Sequence, residues 1–437
     1  MNILVKQGRI VDPASGRDEI GDIAIAAGRI VGIGKVSPEF RPARTIDATS
    51  LVVAPGLVDL AARLREPGHE HEGMLESEMA AAVAGGVTSI VCPPDTEPVL
   101  DEPGLVEMLK FRASNLNQAH LYPLGALTCG LQGKALTEMA ELAEAGCIGF
   151  SQAEEAIVDT LVLQRAMQYA STFGYAVWLR PQDPHLGQGV AASGPLATRL
   201  GLAGVPVVAE TVALLTVFEL MRTTGATVHI CRLSSAAGVE LVRRAKAEGL
   251  PVTCDVSVNQ LHLVDTDIGY FNAAMRLTPP LRQQRDRDAI RAGLADGCID
   301  ALVSDHTPVD EDAKHLPFAE AEPGATGLEL LLSLALKWGE EQGLSMGTAL
   351  SAVTSSPVKV IGKALGSLAS SAGRLVEGGL ADICIFHPTE LWTVRAAALK
   401  SQGRHSPFMG YELPGCVKLT LVSGLVAYQA EDTRASR

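Results

Sequence analysis

Apolar and polar residues alternate at both ends of the chain with the period of short antiparallel strands. The segments ILVKQGRIVD and GDIAIAAGRIVGIG open the chain, and GRLVEGGLADICIFHP and CVKLTLVSGLVAYQ repeat the same texture near the other end. Chain termini usually lie close together in folded proteins. The pattern therefore predicts one small β domain built from both ends, residues 1–53 plus 370–437.

Between the two ends, apolar strand-like runs alternate with helical stretches such as MLESEMAAAVAGG and GVELVRRAKAEG. This order indicates parallel strands joined by crossover helices. Eight units over roughly 300 residues favour an α/β fold with a closed (β/α)₈ TIM barrel over residues 54–369, with its chemistry at the carboxyl ends of the strands. The strand candidates are residues 56–60, 87–92, 119–126, 147–151, 175–179, 227–233, 251–257 and 299–305.

Charge and composition narrow the classes of partner. The 437 residues include 36 Lys and Arg against 50 Asp and Glu, a net charge of −14. This balance argues against nucleic acid or an anionic membrane surface as a general partner. The eight cysteines form no Cys-x-x-Cys pair, which is typical of reduced core thiols. Without a leader segment or an apolar run of about 18 residues, a cytoplasmic location is expected.

A series of motifs together carries a specific resemblance. The segments PGLVDLAARLREPG, PPDTEPVLD, HICRLSS, LTPPLR, ADGCIDALVSDHTP, GATGLELLLSLAL, SPVKVIG and SPFMGYELPG follow one another in the order seen in the cyclic amidohydrolases. The chain resembles a dihydroorotase from end to end. This resemblance implies a barrel of the amidohydrolase type and the hydrolysis or closure of a cyclic amide by one or two Zn²⁺ ions.

The resemblance also implies where the metal ligands should lie. The family draws them from a His-x-His on strand one, a carboxylate or carboxylated lysine on strand four, one His each on strands five and six, and an Asp on strand eight. In this chain the two His-x-His positions hold Ala61 and Arg63, and the first of them lies two residues after Asp59. Of the expected ligands, only the strand-eight acid, Asp305, is kept. The positions on strands four, five and six hold Gln152 with Ala153, Arg180 and Arg232, respectively.

Most of the residues expected to contact the substrate are replaced as well. Arg65 is kept and could clamp a carboxylate, but the two expected asparagines are Asp95 and Thr278 and the expected histidine is Val309. At an effective dielectric constant of about 20, a Zn²⁺ ion about 4 Å from one guanidinium meets roughly 8 kcal/mol of repulsion. Arginine cannot lose its proton to avoid this, because its pKa stays above about 12.

The arginines are therefore expected to replace the charge of the metal. We expect Arg63, Arg180 and Arg232 to converge on the former metal position, and with Arg65 they are candidates for an anion-binding pocket. On this interpretation no zinc or other cofactor is bound, no residue is catalytic, and the chain is a pseudoenzyme. The acids expected to pair with the three arginines are Asp59, Asp183 and Asp305.

The resemblance further implies a partner. In some bacteria, chains resembling this one are the non-catalytic partner of aspartate carbamoyltransferase and hold its catalytic trimers in a larger assembly of pyrimidine biosynthesis. The sequence interpretation is a structural, homo-oligomeric subunit bound to the aspartate carbamoyltransferase catalytic chain. Two alternatives stay open: an anion-binding regulatory subunit, and a metal-dependent cyclic amide hydrolase with atypical ligands. Those ligands would be His69, His71, Glu154 and Asp305.

Overall fold

A computed structural model of the chain describes residues 2–431. The first residue and the last six residues of the predicted small domain lie outside the described residues. No helix within this range combines the length and the apolar character that crossing a membrane requires.

The secondary structure alternates strands and helices through the middle of the chain, as the sequence pattern predicts. The strands are β1 (Ile3–Asp12), β2 (Arg17–Ala26), β3 (Arg29–Gly34), β4 (Arg44–Asp47), β5 (Val52–Pro55), β6 (Leu57–Asp59), β7 (Val87–Cys92), β8 (His120–Pro123), β9 (Gly125–Ala126), β10 (Phe150–Ser151), β11 (Ala176–Leu179), β12 (Ala191–Ala192), β13 (Gly204–Val205), β14 (Thr227–Ile230), β15 (Val252–Ser257), β16 (Ala301–Val303), β17 (Ile383–His387), β18 (Trp392–Thr393), β19 (Glu412–Leu413), β20 (Cys416–Val422) and β21 (Leu425–Gln429). The α-helices are α1 (Leu75–Ala84), α2 (Pro103–Asn115), α3 (Met139–Ala145), α4 (Thr160–Phe173), α5 (Pro195–Leu200), α6 (Val207–Thr224), α7 (Ala236–Ala247), α8 (Val258–His262), α9 (Gln284–Ala295), α10 (Glu311–Lys314), α11 (Leu331–Glu341), α12 (Met346–Ser351) and α13 (Ser355–Ile361). Short 3₁₀ helices lie at Cys129–Leu131, Asp265–Ile268, Ala273–Met275, Leu328–Leu330, Gly362–Ser370 and Ala396–Ala398.

One sheet takes its strands from both ends of the chain. Its order is β21-β20-β17-β5-β1-β2-β3, with β4 paired to β1. The junction between the two ends is the antiparallel pairing of β17 with β5. A separate apolar cluster rich in isoleucine, including Ile3, Ile25 and Ile383, packs on this sheet. Burial of these side chains stabilises the pairing of the first and last segments.

The other strands form a closed parallel barrel. Strands β6, β7 and β8 pair in order, and β9, β10, β11, β14, β15 and β16 continue the circle. Strands β8 and β9 are two parts of the third barrel strand, separated by Leu124, whose amide donates to Cys92 O at 2.9 Å. The circle closes where Ala62 bridges His306 in parallel and Arg63 N donates to His306 O at 2.8 Å. The fold is a TIM barrel with an additional β domain, as predicted.

The interior of the barrel is a packed core. Side chains that include Val58, Val91, Trp178 and Val303 form one cluster there, and Trp178 is only 1% exposed. Such a barrel holds no through channel, so a ligand can be received only where the loops widen at the carboxyl ends of the strands.

Candidate active site

A cavity of about 310 Å³ opens at the carboxyl ends of the barrel strands. We call this cavity the barrel mouth. Ligands of TIM barrels bind at this face, because the loops that follow the strands meet there. Charged side chains dominate its wall: Arg63, Arg65, Arg180, Arg232, Arg276, Asp95, Glu154, Asp305 and Glu322.

Glu154 is the centre of the charge network at the mouth. Its Oε1 accepts hydrogen bonds from Arg63 Nη2 at 2.7 Å and from Arg232 Nη2. Its Oε2 lies 2.5 Å from Arg180 Nε, an ion pair without hydrogen-bond alignment, and its carbonyl oxygen accepts from Arg180 Nη2 at 3.2 Å. Three guanidinium groups therefore meet at one carboxylate.

Arg63 and Arg232 each form an ion pair with a second acid as well. Arg63 Nε donates to Asp95 Oδ2 at 2.7 Å, and Arg232 Nη1 donates to Asp305 Oδ1 at 3.1 Å. Side chains of Arg63 and Arg232 are 8% and 6% exposed, so these ion pairs are shielded from solvent. Shielding strengthens both the attraction within each pair and the penalty for losing one partner.

Protonation states follow from this balance of burial and charge. Burial alone would raise the pKa of Glu154, but Arg232, Arg180 and Arg63 outweigh it and hold the pKa well below the usual range. Burial raises the pKa of Asp305, although Arg232 and Arg63 oppose the shift. Glu154 is therefore a permanent anion at neutral pH, whereas Asp305 is held closer to protonation.

Local backbone geometry aims these side chains across the mouth. Arg65, Ala153, Arg232 and Asp305 have φ angles of 62°, 50°, 55° and 53°, in the left-handed region. Non-glycine residues rarely adopt this region, and such residues concentrate at functional sites. At Arg232 and Asp305 the turn comes just beyond β14 and β16, so each side chain leaves the strand direction and enters the mouth.

The expected acid partners are only partly right. Arg232 pairs with Asp305, as the sequence analysis predicts. The expected roles of Asp59 and Asp183 are wrong: Asp59 accepts from the amide of Ser304 at 3.1 Å, and Asp183 caps the turn that follows it. Both acids bind the backbone, which removes them from the arginine cluster.

The other positions carried over from the resemblance have varied surroundings. Ala61 packs on the barrel core, Ala153 lies in a small apolar cluster, and Val309 is 3% exposed. Gln152 is buried; its Oε1 accepts from Thr128 Oγ1 at 3.0 Å and its Nε2 donates to Leu131 O at 2.7 Å, both in the segment that follows β9. Thr278 lines the mouth, and its carbonyl oxygen accepts from a guanidinium there.

Arg65, the retained candidate for a carboxylate clamp, is already occupied. Its Nε donates to Pro308 O at 2.8 Å and lies 2.7 Å from Glu72 Oε2. Nearby, the ring centroids of His69 and His71 are 6.2 Å apart, and His71 is 62% exposed. These histidines are not among the residues that line the mouth with Glu154 and Asp305.

One group of metal-ligating side chains does come together within residues 2–431. Candidate ligand atoms of His229, Cys231 and Asp255 all lie within 4.8 Å of one another. His229 Nε2 is 2.9 Å from Asp255 Oδ2, and Asp255 Oδ1 accepts from the amide of Arg232 at 2.6 Å. Imidazole nitrogen, thiolate sulfur and carboxylate oxygen are the atoms that zinc takes in proteins.

The barrel mouth and the cluster of His229, Cys231 and Asp255 differ in how well they suit a metal ion. At the mouth the carboxylates of Glu154 and Asp305 carry guanidinium partners, so a divalent cation does not fit there. The cluster of His229, Cys231 and Asp255 supplies three ligands of suitable chemistry, and zinc fits this donor set.

The sequence analysis missed this cluster because it took all eight cysteines as reduced core thiols and singled out neither His229 nor Asp255 as a ligand. The cluster could have been found from the spacing of its residues along two neighbouring strands. Residues two apart on one strand point to the same face, and β14 lies beside β15 in parallel register with His229 opposite Thr253. That register brings Asp255, two residues further along β15, towards His229 on β14 and Cys231 just beyond the end of β14.

Comparisons with known proteins establish the family. A family model described as "Dihydro-orotase-like" matches residues 50–237. The "Dihydroorotase-like protein" of Pseudomonas aeruginosa is 43% identical over 98% of this chain and 100% of its own length. The chain belongs to the dihydroorotase-like family. Within that family, the "Dihydroorotase" of Citrifermentans bemidjiense is 37% identical over 98% of this chain and 100% of its own length.

Solved structures agree with this assignment. An L-hydantoinase (dihydropyrimidinase) from Arthrobacter aurescens has a TM-score of 0.84 and 25% identity, covering 97% of this chain and 95% of that one. A D-hydantoinase from a Thermus species has a TM-score of 0.82 and 21% identity, covering 98% and 97%. The second likeness is evidence for the fold alone.

Two expectations are corrected by these findings. Family members 36–37% identical to this chain are named dihydroorotase and the structural neighbours are hydantoinases, which points to an enzyme that hydrolyses cyclic amides. The expectation of a pseudoenzyme without catalytic residues is therefore wrong. The expectation that no zinc or other cofactor is bound is wrong too. It rested on the loss of every family ligand except Asp305, whereas His229, Cys231 and Asp255 form a candidate metal site.

Proposed function

We propose that this chain catalyses the reversible hydrolysis of a cyclic amide of the dihydroorotate class at the barrel mouth. The observation that carries the proposal is the cavity of about 310 Å³ at the carboxyl ends of the strands, lined by arginines and carboxylates, in a member of the dihydroorotase-like family. A cavity of this size suits a single small ring. Its guanidinium groups suit a substrate that is an anion or becomes one.

The residues at the mouth have distinct roles in this proposal. Water adds to the carbonyl carbon of the ring, the carbon–nitrogen bond breaks, and the nitrogen takes up a proton. Arg63 and Arg180 stabilise the oxygen that becomes negative, and Glu154 holds both guanidinium groups in place. Asp305 accepts the proton of the water and returns it to the nitrogen, a role that suits a carboxyl whose pKa burial raises.

The cluster of His229, Cys231 and Asp255 would hold zinc, which when bound supplies a Lewis acid that polarises a carbonyl. Asp255 connects this cluster to the mouth, because its second carboxylate oxygen accepts from the amide of Arg232. Hydrogen bonds of this kind fix the orientation of a ligand.

The proposal is tested by assaying ring opening of dihydroorotate and ring closure of its carbamoyl acid, with zinc supplied. We expect turnover by the wild-type chain and a loss of roughly 100-fold or more in Asp305→Asn, the usual range for removing an acid–base group. Asp288→Asn is the matched control, since Asp288 is 53% exposed and does not line the mouth. Absence of turnover in both directions by the wild-type chain would overturn the proposal.

We also propose that the chain associates with the catalytic chain of aspartate carbamoyltransferase and with further copies of itself. The motif resemblance supports this partner, and an exposed apolar stripe on α6 supports a protein contact. Val208, Val212 and Leu215 are 46%, 36% and 53% exposed, and their spacing places them on one helical face. Exposed apolar stripes of this kind mark interaction surfaces.

Co-purification with the carbamoyltransferase chain, followed by measurement of the mass of the complex, tests the association. We expect a mixed complex that Val212→Glu weakens. Val31→Glu is the control, because Val31 is 50% exposed on the small β domain. A chain that runs alone and leaves the assembly of the carbamoyltransferase unchanged would contradict the proposal.

A further inference from the structure

The five arginines at the barrel mouth differ in what neutralises them. Four have at least one carboxylate in ion-pair contact, whereas no carboxylate of residues 2–431 forms an ion pair with the fifth, Arg276. The four pairings are Arg63 with Asp95 and Glu154, Arg65 with Glu72, Arg180 with Glu154, and Arg232 with Glu154 and Asp305.

The guanidinium group of Arg276 is also short of hydrogen-bond partners. Its Nε is buried and has no partner among the described residues. Its Nη1 reaches only the carbonyl oxygen of Leu277, at 3.5 Å, the limit of a hydrogen bond. Burial lowers the pKa of Arg276, with no acid to offset it. Arg276 is half-buried, and a partly desolvated cation without a counter-charge is destabilising unless a ligand supplies the anion.

The position of Arg276 is fixed by its own backbone. Its carbonyl oxygen accepts from Lys314 Nζ at 3.1 Å and from the amide of Gly324 at 3.1 Å. Lys314 is 5% exposed, and burial lowers its pKa to about 7. The backbone that carries Arg276 is thus held against the wall of the mouth, so the side chain starts from a fixed point beside the cavity that it lines.

Arg65 cannot take over the recognition of an anion without first giving up its partners. Glu72 neutralises it, and Pro308 O accepts from its Nε. Arg276 has no carboxylate partner among the described residues and only one long hydrogen bond, from Nη1 to Leu277 O. The planar fork of a guanidinium matches the two oxygens of a carboxylate.

We propose that Arg276 binds the carboxylate of the substrate and makes the site selective for cyclic amides that carry an acid group over neutral ring amides. The inference rests on the proposed function for the class of ring and adds the residue that selects within it. Arg276 is a specificity-determining residue here, because it touches the substrate away from the reacting carbonyl.

Equilibrium binding of orotate and uracil tests the inference, since the two rings differ by a carboxylate and neither requires turnover. We expect wild-type protein to bind orotate more tightly than uracil. Arg276→Gln should weaken orotate binding by roughly ten- to a hundred-fold and leave uracil binding unchanged, while Arg276→Lys retains part of the preference. Arg285→Gln is the matched control, because Arg285 is 74% exposed. Thermal unfolding of each variant verifies that it is folded.

The outcomes separate this inference from the proposed hydrolysis. A preference for orotate that depends on Arg276, without turnover of dihydroorotate, would leave the anion site standing and remove the hydrolytic function. Turnover with the same KM for dihydroorotate in wild-type and Arg276→Gln protein would remove the inference and leave the hydrolysis. A wild-type chain that binds orotate no better than uracil would overturn the inference as well.

Discussion

Glu154 and Arg63 meet across the barrel mouth, with Glu154 Oε1 2.7 Å from Arg63 Nη2, although 91 residues separate them in sequence. Arg232 donates to the same oxygen and Arg180 lies against the other one. The Glu154 carboxylate thus joins the loops that follow β6, β11 and β14, which are the first, fifth and sixth strands of the barrel. The architecture of the mouth depends on this one anion.

We expect Glu154→Gln to destabilise the protein strongly, because three guanidinium groups would lose a shared partner. Removal of one partner from a buried pair costs about 3–5 kcal/mol, and we expect about 2–4 kcal/mol here, since the Glu154 side chain is 31% exposed. Urea unfolding measures the change. Glu155→Gln is the control, because Glu155 is its exposed neighbour, and equal stabilities of the two variants would contradict the central role of Glu154.

Glu329 should make stability depend on pH in the neutral range. Burial raises its pKa from 4.5 to about 7, despite hydrogen bonds from the amides of Lys400 and Ser401. A raised folded-state pKa gives a stabilising contribution that is present below the unfolded value and is lost as the pH rises through the folded one. Wild-type stability should therefore fall relative to Glu329→Gln between about pH 5 and about pH 8, by at most about 3 kcal/mol.

The same urea unfolding series at several pH values provides the measurement for Glu329. Glu340→Gln serves as the reference, since Glu340 is exposed on α11. A difference between wild type and Glu329→Gln that stays constant across this range would show that the carboxyl is ionised throughout.

Zinc content should depend on the cluster between β14 and β15. We expect about one zinc ion per chain after reconstitution and its loss in Cys231→Ser, because the thiolate is one of the three side-chain ligands that residues 2–431 bring together there. Metal analysis and the charge-transfer absorption of a cobalt-substituted sample give two readouts that do not require activity. Cys129→Ser is the control, as Cys129 is exposed. Equal zinc content in both variants would exclude the cluster as the site.

Gly68 should be far less tolerant of substitution than another glycine of similar conformation. At φ 97°, an added Cβ would lie 2.1 Å from the carbonyl oxygen of Glu97, whereas at Gly174, with φ 74°, it would meet no atom within 4 Å. We expect Gly174→Ala to cost about 1 kcal/mol and Gly68→Ala several times more, since only the latter displaces backbone. Unfolding midpoints of the two variants decide the point, and similar values would contradict the steric argument.

Sequence patterns predict the fold well because the period of buried positions is a local property. Strand alternation at the two ends and the eight β/α units in between are visible residue by residue, and the structure has both. The partners of individual charges are a different matter. Asp59 and Asp183 are as acidic as Asp305 in the sequence, yet the backbone amides around them, which only the folded loops bring near, take up their carboxylates.

The central role of Glu154 escaped prediction for a conformational reason. Counting along strand four places the inward position at Gln152 or Ala153, and Glu154 falls outside that register. The left-handed φ of 50° at Ala153 turns the chain and redirects the following side chain into the mouth. The sequence QAEE, residues 152–155, does not predict this turn, because alanine has no preference for the left-handed conformation. Arg276 escaped for a similar reason, since its lack of an acid partner is visible only once the whole wall of the mouth is assembled.

The composite sheet has a consequence for the order in which the chain can fold during synthesis. Strand β5 presents one edge to β17, which begins more than three hundred residues later, and the isoleucine-rich face of β1 to β3 is completed by Ile383, Leu419 and Leu421. A ribosome therefore extrudes the opening strands long before their covering segments exist. During synthesis the amino-terminal segment therefore exposes an unpaired strand edge and an apolar face. Both features favour aggregation, so we expect the nascent chain to bind chaperones.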